Sequence, residues 1–433
     1  MKKRYIYQFL LVCISSCFLA CNGYLEEIPQ NKQKLTSTDD YEQLLNKAYL
    51  TEAVLPYIDL LTDDISYIAA DRDPRYGNVA DSYLGAYMWD NNIESTMPNG
   101  DEVFGKFYNS IYYTNVVIDE IDQAVGISSN KEETERIRGY LKGEAYALRA
   151  FRYLYLVNMY APPYDPATSS TTPGIPINLE TSADDKPYTR EMLDKVYGQI
   201  VDDLKKAIPL MEENYVSVKK NRFSPIAAKA LLARVYLYMQ EWDLAIEQAE
   251  NVIGSNSSLF DLRDEGENPV IYNDNPLSYM SEDNVPGIGY LSEKNTNVLF
   301  VNGINELYMI LGGNTAQSVF YPSEDLYRAY SAGDVRKYYF MRRNTRSRIR
   351  YLKNRYYRVV TINFVDQLSS EYGYTRVMRT EEMYLILAEA YAHKPNGIST
   401  AVGYLNTLRE MKFRVSDFET NGKLKPEDFS QET

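Results

Sequence analysis

Cysteine is nearly absent from this 433-residue chain: Cys13, Cys17 and Cys21 all fall within the first 21 positions. A disulfide framework through the body of the protein is thereby excluded. Histidine is scarcer still. With His393 alone, neither an HExxH helix nor a paired-histidine metal centre can be built, and Ser-His-Asp catalysis would have to centre on that residue. It lies just after a helical run, before Lys394-Pro395-Asn396-Gly397, and reads as a helix-end surface position. No glycine loop for phosphates or dinucleotides occurs, since Gly312-Gly313 lacks a following Lys-Ser/Thr. No second long apolar run follows the first twenty residues, and a formal net charge of −14 argues against a general nucleic-acid or anionic-membrane binder. No cofactor, metal site or catalytic set is expected. Sixty carboxylates keep a glycosidase pair open, for instance two of Asp63, Asp64, Asp71 and Asp73, because the required separation is spatial.

What is present is organised around Ser224 to Gly254. Ser224-Pro225 is a helix start: the hydroxyl accepts an orphan N–H, and proline at the first helical position gives up a donor that had no partner. Apolar residues then cover most of the circumference, so the helix needs neighbours on several sides. After a turn at Gln240 to Asp243, Ala245, Ile246, Ala249, Val252 and Ile253 recur at helical spacing, and Gly254 falls where a left-handed cap would end the second helix. The phrase recurs. Ala147, Leu148, Ala150, Tyr153 and Leu154 overlay Ala230, Leu231, Ala233, Tyr236 and Leu237, and Ile386, Ala388 and Tyr391 overlay Leu231, Ala233 and Tyr236. These are tetratricopeptide-like units at irregular spacing; three unrelated core helices are the plainer reading. The predicted fold is all-α: tetratricopeptide-like helix pairs with long irregular insertions and a few short β-hairpins.

At the start, Lys2, Lys3 and Arg4 precede an apolar run from Tyr5 to Ala20, the layout of an export signal over residues 1–20. Phe18-Leu19-Ala20-Cys21 resembles a lipoprotein cleavage box, which makes Cys21 the lipidation candidate; an ordinary secretory signal cut nearby is the alternative. A first helix is expected from Thr38, capped by Thr38 or Asp39, another over Phe107 to Val125, another from Gly143 to Tyr160, and one starting near Thr189. Val298 to Val301 and the runs after Tyr338 read as hairpin strands. Arg336 to Arg358 holds ten basic residues and no acid, interleaved with tyrosines. A solvated hairpin face is the simplest account of it; contact with an anionic ligand, lipid headgroups or a partner is the other. The 41 tyrosines suit both helix packing and surfaces that meet sugars or peptides.

Trp242 sits in the hairpin turn and reads as packing. Trp89 lies in the irregular stretch from Asp71 to Gly100 with Tyr83, Tyr87, Asp90, Asn91 and Asn92, where a flat ring beside amides and a carboxylate suits a sugar. Burial without a ligand is the competing reading.

Several groups of residues resemble the SusD/RagB family: Cys21, Leu25 and Pro29; Gly143-Glu144-Ala145 with Leu148-Arg149-Ala150; Gly174-Ile175-Pro176; and Leu232-Ala233-Arg234-Val235-Tyr236. Pro322-Ser323 and Arg379 with Glu382-Met383-Tyr384-Leu385 agree. The resemblance implies a non-catalytic, lipid-anchored, surface-exposed outer-membrane protein of Bacteroidota that captures nutrient glycans or peptides. It also implies a partner, a SusC-like TonB-dependent transporter. The family's placing of binding aromatics in a later insertion adds Tyr279 and Tyr290 as second-rank ligand candidates. Residues 21–221 then form the N-terminal half and 222–433 the C-terminal half. The chain departs from the family pattern after Leu405 to Met411, where a Glu-Arg segment and an Asp-Leu-Arg-like motif are missing; that end reads as truncated, with the last repeat short of packing partners. A peptide-binding RagB-like lipoprotein and a secreted all-helical glycoside hydrolase or lyase are the alternatives.

Overall fold

The computed structural model describes residues 35–50, 58–67, 84–91, 102–127, 129–181, 187–261, 263, 296–304, 320–336, 341–343, 351–353 and 374–429. The first helix, α1 (Thr38–Tyr49), is capped one residue earlier than expected. The Ser37 hydroxyl accepts from the Asp40 N–H at 3.2 Å, while the Asp40 carboxylate takes the Ser37 N–H at 2.9 Å. This reciprocal box satisfies donors that the helix itself cannot. The backbone N–H groups of Ser37 and Thr36 hold the Asp40 carboxyl down at about 2. Its folded value lies below the ordinary one, so its contribution is complete above the usual carboxylate range and is lost as pH falls through about 2. The melting-temperature gap between wild type and Asp40→Ala is therefore expected to narrow from pH 5 towards about pH 2; a gap that does not change would remove the cap from the acid response.

A short turn, α2 (Leu84–Tyr87), follows the strand β1 (Ile65–Tyr67), and α3 (Val103–Glu120) begins four residues before the expected helix and tightens into a 3₁₀ turn over Ile121–Gln123. The longest of the described helices, α4 (Lys131–Tyr160), carries the first repeat phrase only in its second half. It ends where Pro162 and Pro163 can no longer supply donors. Next come α5 (Leu193–Glu213), α6 (Pro225–Tyr238) and α7 (Trp242–Ser255). Ser224 caps α6 through the Ala227 N–H, as its sequence predicts. The hairpin turn is left-handed at Gln240, with φ of 62°. Gly254 is not a cap: α7 runs through it to Ser255 and Asn256 closes the helix, so the glycine has no conformational task there.

Beyond α7 lie β2 (Val298–Ile304), β3 (Phe320–Pro322), α8 (Glu324–Ala329), β4 (Met341–Arg343), β5 (Tyr351–Lys353) and β6 (Tyr374–Arg379). The chain then forms α9 (Thr380–Ala392) and α10 (Ile398–Glu410). Three antiparallel pairs, α4 with α5, α6 with α7 and α9 with α10, stack in sequence order, α5 against α6 and α7 against α9. Ala150, Ala233 and Ala388 are all buried, which lets partner helices approach closely. The expectation of hairpins needs correction. Among the described strands only β4 and β5 form a local hairpin, whereas β1 pairs with β3 and β2 with β6 across long stretches of chain. The segment after α10 folds back on it. Asn406 exchanges hydrogen bonds with Leu424, and Arg409 donates to the Gly422 carbonyl, so the last pair is covered on that side.

Trp242 opens α7 and is only half-buried. Its indole stacks on His393 at the end of α9, with ring centres 4.0 Å apart and planes 6° from parallel, and Lys394 pairs with Asp243 beside it. A half-covered ring is worth less than a fully buried one. Trp242→Ala is expected to cost about 1–2 kcal/mol rather than the 3–5 of a core aromatic. A double-mutant cycle with His393→Ala in urea should return a favourable coupling; strict additivity would show that the stack carries no energy.

Candidate functional site

The Trp89 turn is built by a helix too short to continue. Leu84 and Gly85 start it, and three backbone bonds close it: Met88 N–H to Leu84 O, Trp89 N–H to Ala86 O, and Asp90 N–H to Gly85 O, at 2.9, 3.1 and 2.9 Å. This six-to-one and inner bond pattern is a Schellman cap, which requires its penultimate residue to be left-handed. That residue is Trp89, at φ 52°. Glycine is the ordinary occupant, and a bulky side chain there is strained. Gly85 and Ala86 are buried and fix the turn to the body, and Tyr87 rests on Tyr67 at 5.9 Å between ring centres. The Trp89 ring, by contrast, stands 68% exposed, with Met88 exposed at 65% and Asp90 and Asn91 exposed beside it. A strained backbone that holds a large apolar face in water is costly for folding alone, and such outliers concentrate at binding sites.

Of the residues the sequence nominates, the structure groups Tyr87, Trp89, Asp90 and Asn91 in this turn. Tyr83, Asn92, Tyr279, Tyr290 and Cys21 lie outside the described residues, as does most of Arg336 to Arg358. His393 is the stacking partner of Trp242. Among the described residues no group of His, Cys, Asp and Glu could hold a metal ion, and no helix is long and apolar enough to cross a membrane.

Two buried ion networks escaped the sequence reading. In one, Arg149 on α4 grips Asp203 on α5 through two bonds of 2.8 and 2.7 Å and donates to the Asn115 amide oxygen on α3 at 2.9 Å. Gln199 donates to the same Asp203 at 2.9 Å. In the other, Arg222 forks onto Glu144, and the Tyr49 hydroxyl donates to Glu144 while accepting the Phe223 N–H. Burial pushes both the Asp203 and Glu144 carboxyls up, against the pull of their arginines. The signal that could have found them is a charged residue at a core position of an amphipathic helix. Arg149 stands between Leu148 and Ala150, and Asp203 beside Leu204 in the apolar stripe.

A stack of helix pairs with paired strands between its repeats, presenting an exposed aromatic on a strained turn, defines a helical-repeat scaffold. Residues 23–237 match the SusD-like family model described as "Starch-binding associating with outer membrane". The chain belongs to the SusD-like family. It is 24% identical over 338 residues to SusD-like protein P2 of Formosa agariphila, covering 73% of this chain and 64% of that one. Across the curated relatives that it matches, the chain spans between 34% and 64% of their length. Several solved structures share the fold, two of which serve as examples. A SusD-like carbohydrate binding protein from Bacteroides vulgatus superposes with a TM-score of 0.63 at 21% identity, covering 88% of this chain and 76% of that one. A laminarin binding SusD-like protein superposes at 0.58 and 18% identity, covering 88% and 87%.

Proposed function

We propose that this chain is a non-catalytic capture protein for neutral oligosaccharides or polysaccharides at the cell surface, handing them to a TonB-dependent outer-membrane transporter. The observation that carries the reading is Trp89. Its ring is held outward by a left-handed cap, and the exposed Asp90 and Asn91 that follow it bring a carboxylate and an amide to the same turn, a combination of flat apolar face and polar groups that suits a pyranose. The carbohydrate-binding and laminarin-binding proteins of the same fold support it. Calorimetric titration with maltohexaose and laminarihexaose tests it: the reading expects heat of binding to at least one, with no shorter sugars appearing on prolonged incubation. Released fragments would make the protein an enzyme, and binding confined to peptides of similar length would make it a peptide receptor.

Cys21 is the anchor in this reading, because a multiply acylated cysteine supplies the two or more chains that stable attachment takes. Cys21→Ala is expected to shift the protein from the membrane to the soluble fraction, whereas wild type in mild detergent co-purifies with a TonB-dependent transporter. Unchanged fractionation removes the anchor, and consistent recovery of the protein alone removes the partner.

A further inference from the structure

We infer that the cleft between residues 177–180 and the outer face of α5 is a second carbohydrate subsite, separate from the Trp89 turn and selective for neutral or amine-bearing sugars over anionic ones. The inference rests on the capture reading above and concerns residues outside the turn that carries it. The cleft has a volume of about 620 Å³. Asn178 and Glu180 form one wall, Gly198, Gln199 and Asp202 on α5 form the floor, and Tyr188 stands at the rim, 42% exposed.

The wall and the floor are joined from beneath. The Asn115 amide donates to the carbonyls of Asn178 and Glu180 at 3.0 and 3.1 Å, and the Tyr153 hydroxyl donates to Asn178 O at 2.7 Å while accepting its N–H at 2.9 Å. Asn115 is in turn held by Arg149, Arg149 by Asp203 on α5, and Asp203 by Gln199, which lines the cleft. A continuous chain of hydrogen-bonded polar groups, buried at Arg149 and Asp203 and part-buried at its ends, thus runs from the wall to the floor. Buried ion pairs contribute little stability beyond what well-packed apolar groups of the same volume would give. What this one does is fix two recognition surfaces against each other, which removes ordering cost from binding.

The lining chemistry selects the ligand. Amides and carboxylates offer donors and acceptors for hydroxyl groups, and the Tyr188 ring offers a flat apolar edge. Among the described lining residues four carboxylates, Glu180, Glu191, Asp194 and Asp202, accompany one cation, Lys195, so uronate or sulfate groups would meet a net negative lining there. Gly198 keeps the floor open. A Cβ at that position would meet no protein atom within 4 Å, although a glycine inside a helix costs about 1 kcal/mol against alanine.

The test is calorimetric titration of wild type, Gly198→Trp, Asp202→Ala and Trp89→Ala with maltohexaose, laminarihexaose and hexagalacturonate, each variant checked by thermal melting. Gly198→Trp fills the cleft from an accessible helix position, and Asp202→Ala, an exposed change, serves should the larger one misfold. Both are expected to weaken binding of a neutral hexasaccharide at least tenfold, or to remove one of two binding events, with hexagalacturonate silent throughout. Wild-type titrations in both cleft variants, alongside loss in Trp89→Ala, would overturn the subsite and leave the capture reading standing. Loss in the cleft variants with Trp89→Ala unaffected would uphold the subsite and displace the turn. Silence of wild type toward both neutral sugars would overturn both, and binding of hexagalacturonate in the cleft would overturn the stated selectivity.

Discussion

Arg149→Met is expected to lower stability by about 3–5 kcal/mol, the penalty for leaving a buried charge without its partner. Asp203 is fully buried and Arg149 is 4% exposed, so water cannot replace the lost guanidinium. Gln199 alone of the described donors would still reach the carboxylate, and the Asn115 oxygen would lose its donor as well. The pH dependence has a definite sign. Burial already raises the Asp203 carboxyl, and removing the cation raises it further. A carboxyl raised in the folded state disfavours folding once the pH exceeds its ordinary, unfolded value, so the deficit grows from acid towards neutral pH and shrinks as acidification lets Asp203 take up a proton. Urea denaturation at pH 7 and pH 5 measures this. The double variant Arg149→Met with Asp203→Leu should regain most of the loss, because an apolar pair of similar volume needs no counter-charge. A single variant that loses less than about 1 kcal/mol would mean that solvent reaches the pair.

Trp89→Ala is expected to weaken glycan binding by about 10- to 100-fold, about 1.4–2.8 kcal/mol, as removal of an anchoring aromatic does at other interfaces. Its melting temperature should stay close to wild type, since a ring 68% exposed has little burial to lose. The left-handed backbone adds a second readout. Trp89→Gly should be the more stable of the two substitutions by up to about 1 kcal/mol, because glycine alone adopts φ of 52° without a Cβ penalty. Both variants should be equally poor binders. Wild-type affinity in either one would take the turn out of the site, and equal stability of the two would mean that the backbone there is not strained.

The helix pairs were legible where independent signals coincided. Ser224-Pro225 marked a start, small residues at Ala150, Ala233 and Ala388 marked close contacts, and apolar spacing marked the faces. The first turns of α4 carried no such agreement: Lys131 to Lys142 is mostly charged, with only Ile137, Tyr140 and Leu141 at core spacing, yet the helix continues through it because Asn130 caps it and accepts from the Glu132 and Glu133 N–H groups. Strand pairing was hidden for a different reason. Alternation reports that Val298 to Val301 is a strand but says nothing about its partner, and that partner, β6, lies beyond a long insertion. Trp89 could be nominated from its neighbours, whereas its backbone strain belongs to the turn geometry. Asp202, Gly198 and Gln199 gave no signal at all, since a polar helix face over a cleft looks like a polar helix face over water.

An array of helix pairs held only by nearest neighbours tends to fray from its ends. The strand β2 changes that. Phe300 reaches into a cluster with Tyr49, Phe151 and Phe223, ring centres 6.4, 5.4 and 4.2 Å away, and Asn302 reaches back 253 residues to the Tyr49 carbonyl. Helix α1, the first pair and the start of the second are thereby knotted to a segment made late in synthesis, while the same strand is zipped to β6, which runs straight into α9. Loosening any one repeat then means opening the shared cluster, so unfolding becomes a property of the stack as a whole. Cooperativity of that kind shows itself as one transition, at the same urea concentration whether followed by far-ultraviolet circular dichroism or by aromatic fluorescence.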